Sequence, residues 1–481
     1  MHKQGIAGFP YYVGINSLSE LATKDDRVVV LNILGKESST VTPISHEYSG
    51  GNIVFGTGPG KAGKFLPTKN GKIPVYNSIK EGMADGHKFN TVIVYLPPSG
   101  VKDGIAEAVR QNPDLKKAII LTEKVSVKDS RIMRAICQTN GVDLFGGNCL
   151  GLADAWNHVR IGGALGGSHP EESLMKGTVA IYSNSGNFTT TIAVYLSTAG
   201  WGTTTSVSSG KDIYIQYGPK EFLHAFKNDD RSKVAVMYSE PGGYYEYGLK
   251  SDKPIVACVV GRWKARLTKA CGHAGSLAGS GDDALAKEQW FMDQFGVDNI
   301  YTPENPVFSK KGALVTNIAY IPEAVTHVME ANGMKPDFAS KGSLALKAWF
   351  GNNQGLSLPK DLDVPIVEAI SPYNEQILAL DKQVGANFRR ETLKDASGAS
   401  MMDPKTQVSK INNVSILDAS TKTFEANLVF ALVKQYPCAY GETIANIALN
   451  TYVNQHRLPT LVAAGASREN GNSPNTVGES A

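Results

Sequence analysis

Cysteine is scarce in this chain: there are five in 481 residues (Cys137, Cys149, Cys258, Cys271 and Cys438). None forms a Cys-x-x-Cys pair or a Cys/His cluster with zinc spacing. A disulfide scaffold and a zinc site are therefore not expected, and reduced thiols in a cytoplasmic protein are. Long hydrophobic runs are missing as well. Nowhere do about 18 apolar residues run together, and Met1 to Pro10 has no apolar core for a signal peptide, so no membrane partner is expected. An excess of either charge is also lacking. Lys and Arg number 48 against 45 Asp and Glu, a net charge of +3 with no basic cluster, so nucleic acid is not an expected partner.

Glycine, by contrast, is abundant, at 49 residues against a usual share of roughly 7%. The glycines cluster after short apolar runs, as in α/β enzymes with phosphate loops. The runs Arg27–Leu34, Asn52–Gly56, Thr91–Leu96, Ala118–Leu121 and Val142–Phe145 read as strands. Helical spacing lies between them over Val101–Gln111 and Lys128–Thr139. Strand and helix in alternation predict a parallel, doubly wound sheet with ligands at the carboxyl ends of its strands. After the first strand, Gly35-Lys36-Glu37-Ser38-Ser39-Thr40 is not G-x-G-x-x-G. After the second, Gly56-Thr57-Gly58-Pro59-Gly60-Lys61-Ala62-Gly63 offers backbone N–H groups and a lysine to an anion. Pro97-Pro98, Thr122-Glu123 and Gly146-Gly147-Asn148 close the later strands, and a domain boundary is expected near residue 150.

A second α/β unit begins near Gly177. Strand Thr178–Tyr182 turns at Ser183-Asn184-Ser185-Gly186-Asn187 into a helix over Phe188–Ser197. Small hydroxyl residues and a glycine at a helix start suit a phosphate. Strand Lys233–Tyr238 ends at Ser239-Glu240-Pro241-Gly242-Gly243. Strand Ile255–Val260 leads to Gly272-His273-Ala274-Gly275, with a helix over Asp282–Phe295 behind it. In one parallel sheet the helix start, Glu240 and His273 gather on one edge. That set suits phosphoryl transfer through histidine, with a carboxylate fixing the tautomer. Gly272, Ala274, Gly275 and Gly279 are expected to leave the loop room to swing. A hydrolase triad of Ser185, His273 and Glu240 is the competing arrangement, but Ser185 lacks the G-x-S-x-G elbow.

Over about residues 25 to 330 the chain resembles the α-subunit family of NDP-forming acyl-CoA synthetases, which includes succinyl-CoA synthetase and the synthetase part of ATP-citrate lyase. Gly58-Pro59-Gly60-Lys61, Glu240-Pro241-Gly242-Gly243, Ser183-Asn184-Ser185-Gly186 and Gly272-His273-Ala274-Gly275 match that family's motifs in order and spacing. The resemblance implies an α/β protein. A Rossmann-like CoA-binding domain (1–150) would precede a flavodoxin-like ligase domain (151–335), with a smaller, mainly helical C-terminal region (336–481). It implies coenzyme A against Gly35, Gly58, Pro59, Gly60, Lys61, Pro97, Glu123 and Asn148. It implies a phosphoryl group held by Ser183, Asn184, Ser185, Gly186 and Asn187, and phosphorylation of His273 with Glu240 beside it. No ATP-grasp pattern appears in the sequence. ATP or GTP with Mg would therefore come from an ATP-grasp β-type partner, in a hetero-oligomer.

Past Lys335, residues 359 to 365 read as a linker and Phe424–Lys434 and Thr443–Val453 as helices. Residues 467 to 481 are polar and glycine-rich, and are expected to be disordered. Phe388 to Gly398 resembles the start of the citrate-synthase-like region that follows the α part in ATP-citrate lyase. The chain ends before that region's later catalytic histidine and aspartate, so a docking or oligomerising module is expected here. Citrate is the first expected acid, succinate or malate the next. A non-catalytic CoA-binding scaffold of the same fold is the alternative.

Overall fold

The computed structural model describes residues 3–340 except 4, 164, 168, 169, 263, 265–272 and 280. The expected linker and helices beyond 340, and the Lys269–Gly272 half of the histidine segment, lie outside the described residues.

The first sheet has seven strands: β1 (Val28–Leu31), β2 (Ile53–Thr57), β3 (Phe65–Thr68), β4 (Gly71–Tyr76), β5 (Thr91–Val94), β6 (Lys117–Ile120) and β7 (Asp143–Gly146), in the order β3-β4-β2-β1-β5-β6-β7. All pairs are parallel except the β3–β4 hairpin. Helices α1 (Lys36–Tyr48), α2 (Ile79–Ala84), α3 (Pro98–Gln111) and α4 (Val127–Asn140) are the connections. Strands β1, β5, β6 and β7 are wholly buried on both faces and mainly apolar, which is what helices on both sides demand. The first strand ends three residues before its apolar run does. Asn32 turns into the left-handed region at φ 65°, where its Nδ2 donates to the Tyr95 carbonyl at 3.0 Å. Asparagine tolerates that conformation better than most residues. The chain order reverses between β1 and β5, which opens a crevice at their carboxyl ends.

The second sheet contains β8 (Gly151–Asp154), β9 (Val159–Ile161), β10 (Lys176–Ser183), β11 (Thr203–Ser208), β12 (Val234–Ser239), β13 (Ile255–Val259) and β14 (Gly312–Val315), in the order β14-β13-β12-β10-β11-β8-β9. Strands β10 to β14 are parallel; β8 and β9 add antiparallel. Helices α5 (Pro170–Ser173), α6 (Gly186–Thr198), α7 (Pro219–Lys227), α8 (Ala284–Phe295) and α9 (Ile321–Ala331) accompany it. The sequence reading has no strand at β11, because Thr203-Thr204-Thr205-Ser206-Val207-Ser208 is not an apolar run. All six residues are buried nonetheless. β-Branched threonine suits a strand, and the Thr204 and Thr205 hydroxyls find buried partners in Ser232 and Asp154 at 2.6 and 2.8 Å.

An N-terminal strap ties the two sheets together. The Gly14 N–H donates to Asp143 at the start of β7 (2.9 Å), and the Tyr11 hydroxyl donates to Glu221 on α7 (2.6 Å). Arg134 of α4 pairs with the same Glu221 at 3.2 Å.

Candidate active site

The parallel register of β10, β12 and β13 brings their carboxyl ends to one edge. Ser183 ends β10. Its hydroxyl accepts from the Ser185 N–H (3.1 Å) and donates to the Ser185 carbonyl (2.7 Å). Ser185 is the N-cap of α6, and its hydroxyl accepts from the Phe188 N–H at 3.5 Å. Asn184, also buried, bridges two strand ends. Its side-chain carbonyl accepts from the Glu240 N–H (3.0 Å) and its amide donates to the Ser209 hydroxyl (3.0 Å). Three of the five residues expected to hold phosphate, Ser183, Asn184 and Ser185, therefore spend their side chains shaping the turn. What the helix start presents is the backbone N–H of Gly186 and the exposed Asn187. Gly186 owes its identity to packing, since a Cβ there would collide with the Leu150 side chain.

Glu240 follows β12 and is 3% exposed. His273 Nδ1 lies 2.8 Å from both of its carboxylate oxygens. Oε2 also accepts from the Ser276 hydroxyl at 2.6 Å and from the Lys264 ammonium at 2.9 Å. Burial works to raise the carboxyl pKa. The hydrogen bond and charge of His273, then Lys264 and Ser276, outweigh it and hold Glu240 well below the usual carboxylate range. Glu240 is thus ionised and accepts a hydrogen bond from Nδ1–H, which leaves Nε2 as the ring nitrogen with a free lone pair. The His273 side chain is 26% exposed, enough for a reactant to approach.

The loop around His273 is packed more closely than its glycines suggest. The Gly275 N–H donates to the Lys211 carbonyl at 2.9 Å. A Cβ on Gly275 would strike the Asp212 carbonyl, and one on Gly242, at φ 87°, would strike the Gly275 carbonyl. In this conformation the glycines serve close backbone approach, not open space. Lys211 lies beneath. It is fully buried and donates to the Gly242 carbonyl at 2.8 Å. Burial, then the like charge of Lys287, lowers its pKa to about 7, against the pull of Glu246 and Glu240. Asp212 reaches the first sheet, where its carboxylate accepts from the Lys124 and Val125 N–H groups, both at 3.2 Å.

The residues expected to bind CoA line the carboxyl edge of the first sheet. Gly35 is the N-cap of α1 without a side-chain cap, and Pro97 is the N-cap of α3; they follow β1 and β5 and flank the crevice. Gly58 starts a turn, closed by the Lys61 N–H on the Gly58 carbonyl at 2.9 Å, that leaves Pro59, Gly60 and Lys61 exposed. Glu123 is exposed after β6, and Asn148 after β7 donates its N–H to the Thr122 carbonyl at 3.0 Å. The site brings in four residues that the sequence reading does not name. Ser276 sits one short 3-10 turn beyond His273, a spacing visible in the sequence. Lys264, Lys211 and Asp212 belong to loops whose partners only the sheet order reveals.

Comparison with known proteins identifies the fold. Residues 23–124 match the CoA binding domain family, and residues 176–297 match the family described as the succinyl-CoA ligase like flavodoxin domain. The α subunit of ADP-forming succinate–CoA ligase from Aquifex aeolicus is 30% identical over 311 residues, which is 63% of this chain and 95% of that subunit. The chain belongs to the α-subunit family of NDP-forming acyl-CoA synthetases. Another α-subunit relative, from Staphylococcus aureus strain N315, is 31% identical over 293 residues, 60% of this chain and 92% of that subunit. Among solved structures, this acyl-CoA synthetase α-type chain is similar in fold to the ATP citrate lyase of Methanothrix soehngenii, solved with citrate and coenzyme A. The TM-score is 0.56 at 16% identity, covering 95% of this chain and 78% of that one. Among the described residues, no helix is long and apolar enough to cross a membrane.

Proposed function

We propose that this α-type subunit forms an acyl-CoA thioester through a phosphohistidine at His273. Nε2 attacks the γ-phosphorus of ATP or GTP, and the nucleoside diphosphate leaves with the bonding pair. A carboxylate oxygen of the acid then takes the phosphoryl group and frees Nε2. Finally the CoA sulfur attacks the acyl carbonyl and phosphate departs. Glu240 holds Nδ1–H throughout and stabilises the charge that develops on the ring. The N–H groups at the start of α6 meet the phosphoryl oxygens. The carboxyl edge of the first sheet, with Lys61 at its exposed glycine turn, holds CoA. The observation that carries this reading is the contact of 2.8 Å between Nδ1 and a buried, ionised Glu240.

The nucleotide and its Mg are supplied by an ATP-grasp β-type subunit in a hetero-oligomer. The surface supports such a partner, because Ile213, Tyr244, Leu277 and Leu285 are exposed and belong to the loops and helix start packed about His273. With γ-labelled nucleotide and a competent β-type subunit, the wild-type chain is expected to take up alkali-stable label and His273→Asn none. Label on His273→Asn would remove the assignment. Two acids have separate support. Phe388 to Gly398 favours citrate by its likeness to the citrate-synthase-like region. The α-subunit relatives, named for succinate, favour succinate. Thioester yield with each acid decides between them.

A further inference from the structure

Lys264 has no place in the scheme above, yet it is an ammonium bonded to the carboxylate that orients the nucleophile. It is held there by its own turn. After β13, the Val260 N–H donates to the Ser239 carbonyl at 3.2 Å, and the Lys264 N–H closes a turn on the Gly261 carbonyl at 2.9 Å. Gly261, at φ 89°, packs against Pro241, the residue after Glu240. The Lys264 side chain is 12% exposed, and its Nζ lies 2.9 Å from Glu240 Oε2. A carboxylate oxygen offers about two lone pairs. On Oε2 these are taken by Lys264 and by the Ser276 hydroxyl at 2.6 Å. His273 Nδ1 lies 2.8 Å from each oxygen, and it is the only described partner of Oε1, the oxygen whose lone pairs the lysine and serine leave open.

We propose that Lys264 is a positioning residue that sets the charge of the Glu240–His273 pair: it saturates one carboxylate oxygen, reserves the other for Nδ1–H, and keeps an additional proton off the pair so that Nε2 stays nucleophilic. The inference rests on the phosphohistidine reading. Its physical basis is the cation's cost to any further positive charge placed beside it. The groups that face the carboxylate are His273 and Ser276 from the histidine loop, Lys264 from the turn after β13, Lys211 from the loop after β11, and Tyr238 from β12. Asp212 faces His273 from the same loop as Lys211. Of the two lysines, Lys264 alone reaches the carboxylate oxygens; Lys211 donates to the backbone carbonyls of Glu240 and Gly242. Lys264 also provides for the stage at which the ring turns away to a second reactant. A buried carboxylate without a partner is costly, and the ammonium keeps Glu240 ionised until the ring returns.

The test uses the full chain with potassium phosphoramidate, which phosphorylates imidazole without a partner protein. The Nε2–P bond forms, the P–N bond breaks and ammonia leaves. Intact mass is followed from pH 5.5 to 9 for the wild type, Lys264→Met and Lys264→Arg. In Lys264→Met the acid limb of the rate profile is expected to move up by about 1 to 3 pH units, with the alkaline plateau kept. Within that window the rate falls about tenfold per unit. Lys264→Arg is expected to restore the wild-type profile. Superimposable profiles, a loss equal at every pH, or an arginine variant that behaves like methionine would each overturn the proposal. If the wild type takes no phosphate at His273 from phosphoramidate or from nucleotide with a partner, it is the phosphohistidine reading that fails. The lysine is then judged by ¹⁵N resonances of the unphosphorylated imidazole, where Lys264→Met must raise the pH midpoint and an unmoved midpoint refutes the role.

Discussion

Glu240 receives His273, Lys264 and Ser276 on two oxygens while almost sealed from water. Neutralising it in Glu240→Gln keeps the shape and the Asn184 contact, because that contact uses the backbone N–H. The charge that steadies the ring is lost. Phosphoenzyme is expected to form still, and its discharge to acid and CoA to slow by about 10²-fold or more in single-turnover decay. Undiminished decay would show that the carboxylate does not act on the ring. At this scale the sequence reading goes far. Glu240 stands just beyond one apolar run and His273 in the glycine-rich segment that follows the next, and a parallel sheet brings the ends of such runs to one edge. Ser183, Ser185 and Gly186 are found in the turn as expected, where two hydroxyls shape the turn and the absence of a side chain at Gly186 makes room for Leu150. Residue type alone cannot separate a group that faces a ligand from one that shapes the loop behind it.

Between elements, the Glu240 loop and the histidine loop are closely joined. The Gly242 N–H donates to the Asp282 carbonyl at 2.8 Å, and the Gly243 N–H to the Asp282 carboxylate at 2.8 Å. The same carboxylate accepts the Gly279 N–H at 2.6 Å. Gly242→Ala meets two obstacles: a left-handed backbone that costs roughly 1–2 kcal/mol without glycine, and a clash with the Gly275 carbonyl. It is expected to lower the urea midpoint by the equivalent of about 2 kcal/mol or more and to abolish phosphorylation, since the ring is carried off Glu240. A variant with an unchanged midpoint and normal phosphorylation would show the joint to be loose. Strands with continuous apolar runs, such as β1, β5, β12 and β13, are legible from sequence. β11 is not, since its buried face is made of hydroxyls that pair only once Ser232 and Asp154 arrive from elsewhere in the chain. The β8–β9 hairpin escapes for a similar reason: each strand is three or four residues long and is held by the neighbour it pairs with.

At the scale of the whole molecule, the strap carries a titratable anchor. Asp143 is buried, and that burial raises its pKa to about 7. The Gly14 N–H, Lys117 and Arg134 pull it down, and Glu221 adds to the rise. The unfolded carboxyl titrates near 3.8. Between those values the folded chain holds a proton that the unfolded chain has released. Stability from this group is therefore full below the unfolded value and falls as pH rises toward 7, by at most about 1.4 kcal/mol per pH unit. Asp143→Asn keeps an oxygen for the Gly14 N–H and removes the titration. Its melting temperature is expected to exceed that of the wild type at pH 8 and to match it near pH 4; a constant difference would deny Asp143 the role. Asp212 joins the halves differently, with its carboxylate on the Lys124 and Val125 N–H groups and its carbonyl against Gly275. One residue thus touches the strand-end loop beside the proposed CoA edge and the segment that carries His273. For the two proposed events, thermodynamic reciprocity sets a bond: by whatever factor CoA at that edge shifts the phosphorylation equilibrium of His273, phosphorylation must shift the affinity for CoA by the same factor.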